Sequence, residues 1–173
     1  DVETWDIDLD AVTSDPAFPG QEVERTAAVG VVGTLRGTGG GRSLLLDGHT
    51  DVVPPGDPGA WIADPFVMRR EEVDGVETLL GRGTCDMKAG VVASFVALRA
   101  LRDAGVRLAG DVIMAPVVGE EDGGLGTFEL IRHGVRADAC IIPEPTDLDI
   151  VPANGGALTF RLRVPGRAVH ASR

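Results

Sequence analysis

Six residues of this chain carry groups that bind metals or move protons, and they fall in four clusters. His49 and Asp51 follow the apolar run at 44–46 as an HxD pair, and Asp86 precedes a stretch with helical spacing. Glu120 and Glu121 close a second apolar run, and Glu144 stands between Pro143 and Pro145 after a third. One imidazole and several carboxylates gathered at one place make a nitrogen–oxygen site that suits zinc and also accepts manganese or cobalt. Each residue also has a plainer reading. An HxD pair after a strand is commonly a turn, and Asp86 could cap a helix. Glu120 and Glu121 could form a solvated acidic loop, and Glu144 an exposed turn. Taken together the plain readings weaken, because the polar groups all fall at corresponding ends of the apolar runs.

Such groups need rigid elements to position them. Residues 27–37 and 42–49 read as strands joined by the glycine-rich GTGGG, a hairpin turn, and 77–83 reads as a further short strand. Apolar residues at 87, 91, 92, 95, 98 and 101 predict a helix over 86–105 with a broad buried face, stopped by Gly105. Residues 110–124 hold another apolar run ending in carboxylates. Pro116 sits badly in a central strand, so a bulge or a shorter strand is expected there. Residues 126–134 read as a helix closed by Gly134, and 137–147 as a strand ending in a carboxylate. Apolar runs alternating with helices predict an α/β sheet covered on both faces, and in such sheets ligands bind at the carboxyl ends of the strands. After residue 151 apolar and polar residues alternate, as in a half-exposed antiparallel strand. Domains of 1–151 and 152–173 follow, the second only begun.

The bulk properties narrow the function. With 173 residues, 43% of them apolar, the chain can bury a core. A net charge of −11 repels phosphate backbones, so no nucleic acid is expected as partner. No apolar stretch is long enough to predict a membrane span. Cys85 and Cys140 lie in no zinc-finger spacing and read as reduced thiols of a cytoplasmic protein, Cys85 as a packing residue. A start at Asp1 and an end inside a pattern suggest a fragment, with apolar surface left exposed. GTGGGRS lacks the Lys-Ser/Thr of a P-loop and the spacing of a dinucleotide fingerprint. Neither a GxSxG elbow nor an HExxH helix occurs.

Five ordered segments, LLLDGHTDVVPPGD, GRGTCDMKAG, VVGEEDGGLGT, IIPEPT and GRAVHAS, give the chain a resemblance to a known family. It resembles the acetylornithine deacetylase / succinyl-diaminopimelate desuccinylase family of co-catalytic zinc aminoacylases and peptidases. The resemblance implies a three-layer αβα catalytic domain with a mixed sheet, then the first strand of a ferredoxin-like α+β dimerisation (lid) domain. It further implies a homodimeric parent that cleaves the amide of an N-acyl amino acid or small peptide, with two Zn²⁺ in the complete site. His49 would be a ligand of one metal and Asp51 the partner that orients its ring. Asp86 would bridge both metals, Glu144 would complete the first site and Glu121 would serve the second. Glu120 would be the general base, and His170 the donor to the oxyanion, supplied across the dimer. The motifs look most like the acetylornithine deacetylase-type branch. A further metal-ligand histidine is expected beyond residue 173, so the chain alone should be inactive. His133 matches no family position and reads as a cation at a helix end. Two rivals remain: a non-catalytic binding or assembly module, against which an intact Glu120 argues, and a mononuclear metal amidase, which metal stoichiometry separates.

Overall fold

The computed structural model describes residues 1–156, 160 and 162–166. Along the chain the elements are β1 (Val2–Asp6), α1 (Leu9–Thr13), β2 (Val29–Leu35), β3 (Leu44–His49), β4 (Arg69–Val73) and β5 (Val76–Leu80). They continue with α2 (Ala89–Asp103), β6 (Val112–Val117), α3 (Leu125–Arg132) and β7 (Ala139–Ile141). Five strands form one mixed sheet in the order β1-β2-β6-β3-β7. β3 pairs in parallel with β6 and with β7, while β2 runs antiparallel to both of its neighbours, β1 and β6.

The two longer helices cover opposite faces of this sheet. The chain steps from β3 to its neighbour β6 by way of α2, then reverses past β3 to reach β7 by way of α3. Right-handed crossovers taken in opposite directions put their helices on opposite faces. Alternation along the strands supplies each face. Leu46, Val112 and Met114 pack with Met87 and Val91 on the α2 side. Val32, Ala115 and Val117 pack with Leu130 on the α3 side. A third cluster of Ile7, Val12 and Leu125 joins α1 to the start of α3. The α/β fold with both faces covered is as expected.

Several local expectations are corrected. The glycine-rich stretch at 37–41 closes no hairpin, because β6 lies between β2 and β3. β6 takes that place because it is apolar toward both helices, as a strand buried on both faces must be. The linker instead crosses the entry to β6, with Thr38 N donating to Leu108 O at 2.8 Å and Gly39 N to Ala109 O at 3.0 Å. Pro116 needs no bulge, and β6, at Val112–Val117, is shorter than the run at 110–124, as one of the two expectations had it. Successive residues present their amides to opposite sides, and Val117 turns its carbonyl toward Thr50 beyond β3. Pro116 therefore faces the β2 side, where the ladder has already ended at Met114.

The strand expected at 77–83 is β5, but it pairs with β4 in a separate two-stranded ribbon. Asp74 and Gly75 form its turn, both at positive φ (52° and 80°), the Asp-Gly signature of a tight hairpin. β1 and α1, five residues each, had no counterpart in the sequence reading. The buried face of α2 is narrower than its apolar spacing suggests. Val91 and Ser94 are buried on it, whereas Val92, Phe95 and Val96 face solvent, and the buried Met87 precedes the helix in the turn Thr84–Lys88 rather than lying within it. Both cysteines are free and exposed, so Cys85 is not a packing residue. No helix among the described residues is long and apolar enough to cross a membrane. The strand expected within 152–173 falls largely outside the described residues.

One close approach ties α2 to the turn after β7. A Cβ built on Gly90 would lie 2.1 Å from Pro143 O and 3.0 Å from its Cβ, so only glycine lets the helix sit there. Gly90→Ala should destabilise the fold by about 1–3 kcal/mol through overpacking. Thermal melting of the two proteins checks this, and an unchanged midpoint would show that the Pro143 turn yields freely.

Candidate metal centre

Because β3, β6 and β7 are parallel, their carboxyl ends open onto one edge of the sheet. His49 is the last residue of β3 and is only 1% exposed, held in place by the strand and by Met87, whose sulfur accepts from His49 N at 3.2 Å. Around its Nε2 stand Asp86 Oδ1 at 3.0 Å, Glu144 Oε1 at 3.9 Å and Glu120 Oε2 at 4.0 Å. His49, Asp86 and Glu121 each offer a ligand atom, and these atoms all lie within 4.8 Å of one another. Five of the six residues singled out in the sequence, His49, Asp86, Glu120, Glu121 and Glu144, thus converge on one place, and Asp51 adjoins them. His170 lies outside the described residues.

Asp86 reaches this place from the irregular turn Thr84–Lys88 rather than from a strand end of the main sheet. It leaves helical geometry (φ −110°, ψ 105°), its peptide bond to Met87 is cis, and its side chain makes no helix-capping bond. Glu120 and Glu121 lie on the loop that joins β6 to α3. Asp51 sits below them. Its carbonyl is 3.0 Å from His49 Nδ1 and its carboxylate is 3.7 Å from the same nitrogen. That carboxylate accepts from Glu120 N at 3.3 Å and Glu121 N at 3.2 Å, pinning the acidic loop. Glu121 Oε1 in turn accepts from Val53 N at 3.3 Å.

Electrostatics make this a site for a cation. A neutral imidazole offers one donor and one acceptor nitrogen. If Nδ1–H donates to the Asp51 carbonyl, Nε2 points a lone pair at the Asp86 carboxylate, and a proton or a cation is needed between them. Burial pulls the His49 pKa down, but the bonds to Asp86 and Asp51 and the charges of Asp51 and Glu120 outweigh it, so the pKa rises. Burial pushes the Glu120 and Glu144 carboxyls above the ordinary range; His49 opposes this and the neighbouring carboxylates add to it. Among the described residues no lysine or arginine pairs with Asp51, Asp86, Glu120, Glu121 or Glu144. An imidazole nitrogen and several oxygens with no fixed countercharge fit a divalent ion.

Asp47, beside His49 in sequence, belongs elsewhere. It points to the α3 side and accepts from Thr127 Oγ1 at 3.0 Å, and burial raises its pKa. His133 caps the end of α3, stacks on Trp5 with ring centroids 3.7 Å apart and contacts Glu3 at 2.9 Å. Three neighbours of the site were not anticipated. Lys88 donates to Thr50 O, bridging the turn that carries Asp86 to the loop that carries Asp51. Arg25 grips Asp122 through both terminal nitrogens, at 2.8 and 2.6 Å. Lys88 and Asp122 stand within motifs that could have flagged them, whereas nothing near Arg25 in sequence points to this role.

A mixed sheet whose parallel strands gather a histidine and acidic residues at one edge defines an α/β domain with a candidate metal site. Residues 45–170 match the model of peptidase family M20/M25/M40, and the chain belongs to that family. It is 37% identical over 131 residues to the N-formyl-4-amino-5-aminomethyl-2-methylpyrimidine deformylase of Bacillus subtilis (strain 168), covering 75% of this chain and 30% of that protein. To the succinyl-diaminopimelate desuccinylase of Methylobacterium sp. (strain 4-46) it is 40% identical over 144 residues, covering 76% and 35%. Among solved structures, aminopeptidase PepT from Bacillus cereus ATCC 10987 superposes with a TM-score of 0.53 at 27% identity, covering 82% of this chain and 33% of that one. The chain therefore spans about a third of the length of these relatives.

The Arg25–Asp122 pair gives the acidic loop a measurable pH dependence. Its bond to Arg25, helped by the Val23 and Glu22 amides, holds the Asp122 carboxyl below the ordinary range. A pKa depressed by folding stabilises above the unfolded value of about 3.9, and the contribution is lost as pH falls through the folded value. Asp122→Asn should therefore lower the melting temperature by a few degrees at pH 7 and by less at pH 3. An equal gap at both pH values would show that the pair contributes nothing.

Proposed function

We propose that the chain is the metal-holding part of a hydrolase that cleaves the amide bond of an N-acyl amino acid or small peptide. The observation that carries this reading is the convergence of His49, Asp86 and Glu121 beside a Glu120 carboxylate that accepts no hydrogen bond among the described residues. Membership of a peptidase family supports it. So do relatives whose names describe removal of a formyl or a succinyl group.

In this reading His49, Asp86 and Glu144 would hold one zinc ion and Asp86 and Glu121 would serve a second, with a further ligand supplied outside the described residues. Zinc bound there would polarise the amide carbonyl and lower the pKa of the attacking water. Cobalt or manganese suits the same oxygen and nitrogen set. Asp51 orients the His49 ring through its carbonyl and, with its carboxylate, holds the backbone of the acidic loop. A histidine held this way keeps one tautomer and presents its other nitrogen to the ion.

Glu120 takes the proton from the attacking water and returns it to the leaving amine. Its side chain suits that task because the loop is anchored through the Glu120 amide, not through its carboxylate. His170, from the neighbouring subunit of a homodimer, donates to the oxyanion that forms on the substrate carbonyl. No partner for nucleic acid or membrane enters this reading, and the cytoplasm is its setting.

Zinc bound per chain, counted in the full-length protein, tests the ligands. Two zincs should fall to one or none in Asp86→Ala. Glu120→Gln should keep both while losing about 10²–10⁴-fold in hydrolysis of formyl-, acetyl- or succinyl-amino acids. Two zincs retained in Asp86→Ala would place the ligands elsewhere, and no zinc in the parent would leave a binding module as the better account.

A further inference from the structure

The loop joining β6 to α3 presents three consecutive carboxylates, Glu120, Glu121 and Asp122, and is gripped from two sides. Toward β3, the Asp51 carboxylate receives the amides of Glu120 and Glu121. On the far side, the Asp122 carboxylate receives Arg25 through two nitrogens at 2.8 and 2.6 Å and the Val23 amide at 3.1 Å. Glu22 N adds a bond to Asp122 O at 3.1 Å. The contact is well shielded, the side chains of Arg25 and Asp122 being 21% and 10% exposed. The guanidinium also lies close to the loop, 3.3 Å from where a Cβ on Gly119 would stand.

This second grip answers a physical need. Glu120 and Glu121 face Asp51 and Asp86, and like charges at such separations repel. A glycine-flanked loop held only from the β3 side, by the Asp51 bonds and the Val53 amide, would relieve that repulsion by swinging outward. Arg25 places a fixed positive charge behind the loop and closes a bidentate pair with the next residue along. Segment 20–25 has no helix or strand of its own, so these bonds hold both partners.

We propose that Arg25 is a positioning residue for the metal centre: acting through Asp122, it holds the acidic loop so that Glu121 stands opposite His49 and Asp86. The proposal rests on the reading of Glu121 as a metal ligand. It predicts a coupling between Arg25 and Glu121, which share no hydrogen bond or ion pair. It also predicts a preference for arginine, since lysine keeps the charge but cannot form the two-pronged bond.

Zinc titration calorimetry on the full-length protein, with the metal alone as probe, tests it. The set is wild type, Arg25→Ala, Arg25→Lys, Glu121→Gln and the double variant Arg25→Ala/Glu121→Gln, each checked for cooperative melting. Arg25→Ala should weaken the zinc step that depends on Glu121 by about tenfold, the usual effect of losing a residue that supports a ligand. Arg25→Lys should fall between it and wild type. In the Glu121→Gln background, Arg25→Ala should cost nothing further. Affinity within about twofold of wild type in Arg25→Ala overturns the proposal, and so does an undiminished loss in the double variant, which would mark general loosening. If Glu121→Gln binds zinc as wild type does, the ligand reading itself fails and the proposal falls with it. Should Arg25→Ala not fold, the isosteric Asp122→Asn takes its place in the same cycle.

Discussion

Parallel pairing of β3 with β6 and β7 is the constraint on which the rest of the molecule depends. Parallel strands deliver whatever follows them to the same edge, so three separate stretches of chain bring polar residues together there, and bonds from Asp51 and Val53 to the acidic loop then fix them. The pairing requires crossovers, and the crossovers become α2 and α3 on opposite faces. Those helices bury both faces of β3 and β6, which is why Leu44–Leu46 and Val112–Val117 are apolar in both directions. At its end β3 can then hold a buried imidazole, because the His49 amide is satisfied by the Met87 sulfur and the two ring nitrogens meet the Asp51 carbonyl and the Asp86 carboxylate.

The same convergence creates the molecule's main electrostatic problem. Five carboxylates meet around one histidine, and folding must hold them there against their repulsion. The structure does so with backbone groups and with charges placed behind the cluster. Amides of Val53, Glu120 and Glu121 bind carboxylate oxygens within it. Lys88 reaches only the Thr50 carbonyl, and Arg25 is committed to Asp122. The cations stiffen the frame without pairing with the five carboxylates of the cluster.

How much of this was legible in the sequence follows from range. β3, β6, α2 and α3 were readable because each has its own periodicity or apolar run, and residues at their ends were readable with them. β1 and α1 are too short to show a period, and Trp5 and Ile7 take their places only through contacts with distant residues. The order β2-β6-β3 was hidden because a glycine-rich linker serves a hairpin and a crossing equally well. The β4–β5 ribbon was hidden differently: Asp74-Gly75 was the signal, but its flanks are half charged. Arg25 and Asp122 lie 97 positions apart, and no local pattern joins them.

Glu120 and Glu121 show how a fold separates two identical neighbours. Both amides donate to the one Asp51 carboxylate, so the backbone there is fixed equally at the two residues. Their side chains then diverge. Glu121 is drawn back to the Val53 amide and toward His49 and Asp86, within reach of the place an ion would occupy. Glu120 is left with no hydrogen bond among the described residues and with His49 Nε2 no nearer than 4.0 Å. A carboxylate steadied through one oxygen keeps lone pairs with which to hold an ion, and one left unbound at the same edge can exchange a proton. Anchoring through main-chain amides permits both at adjacent positions, because it takes nothing from either side chain.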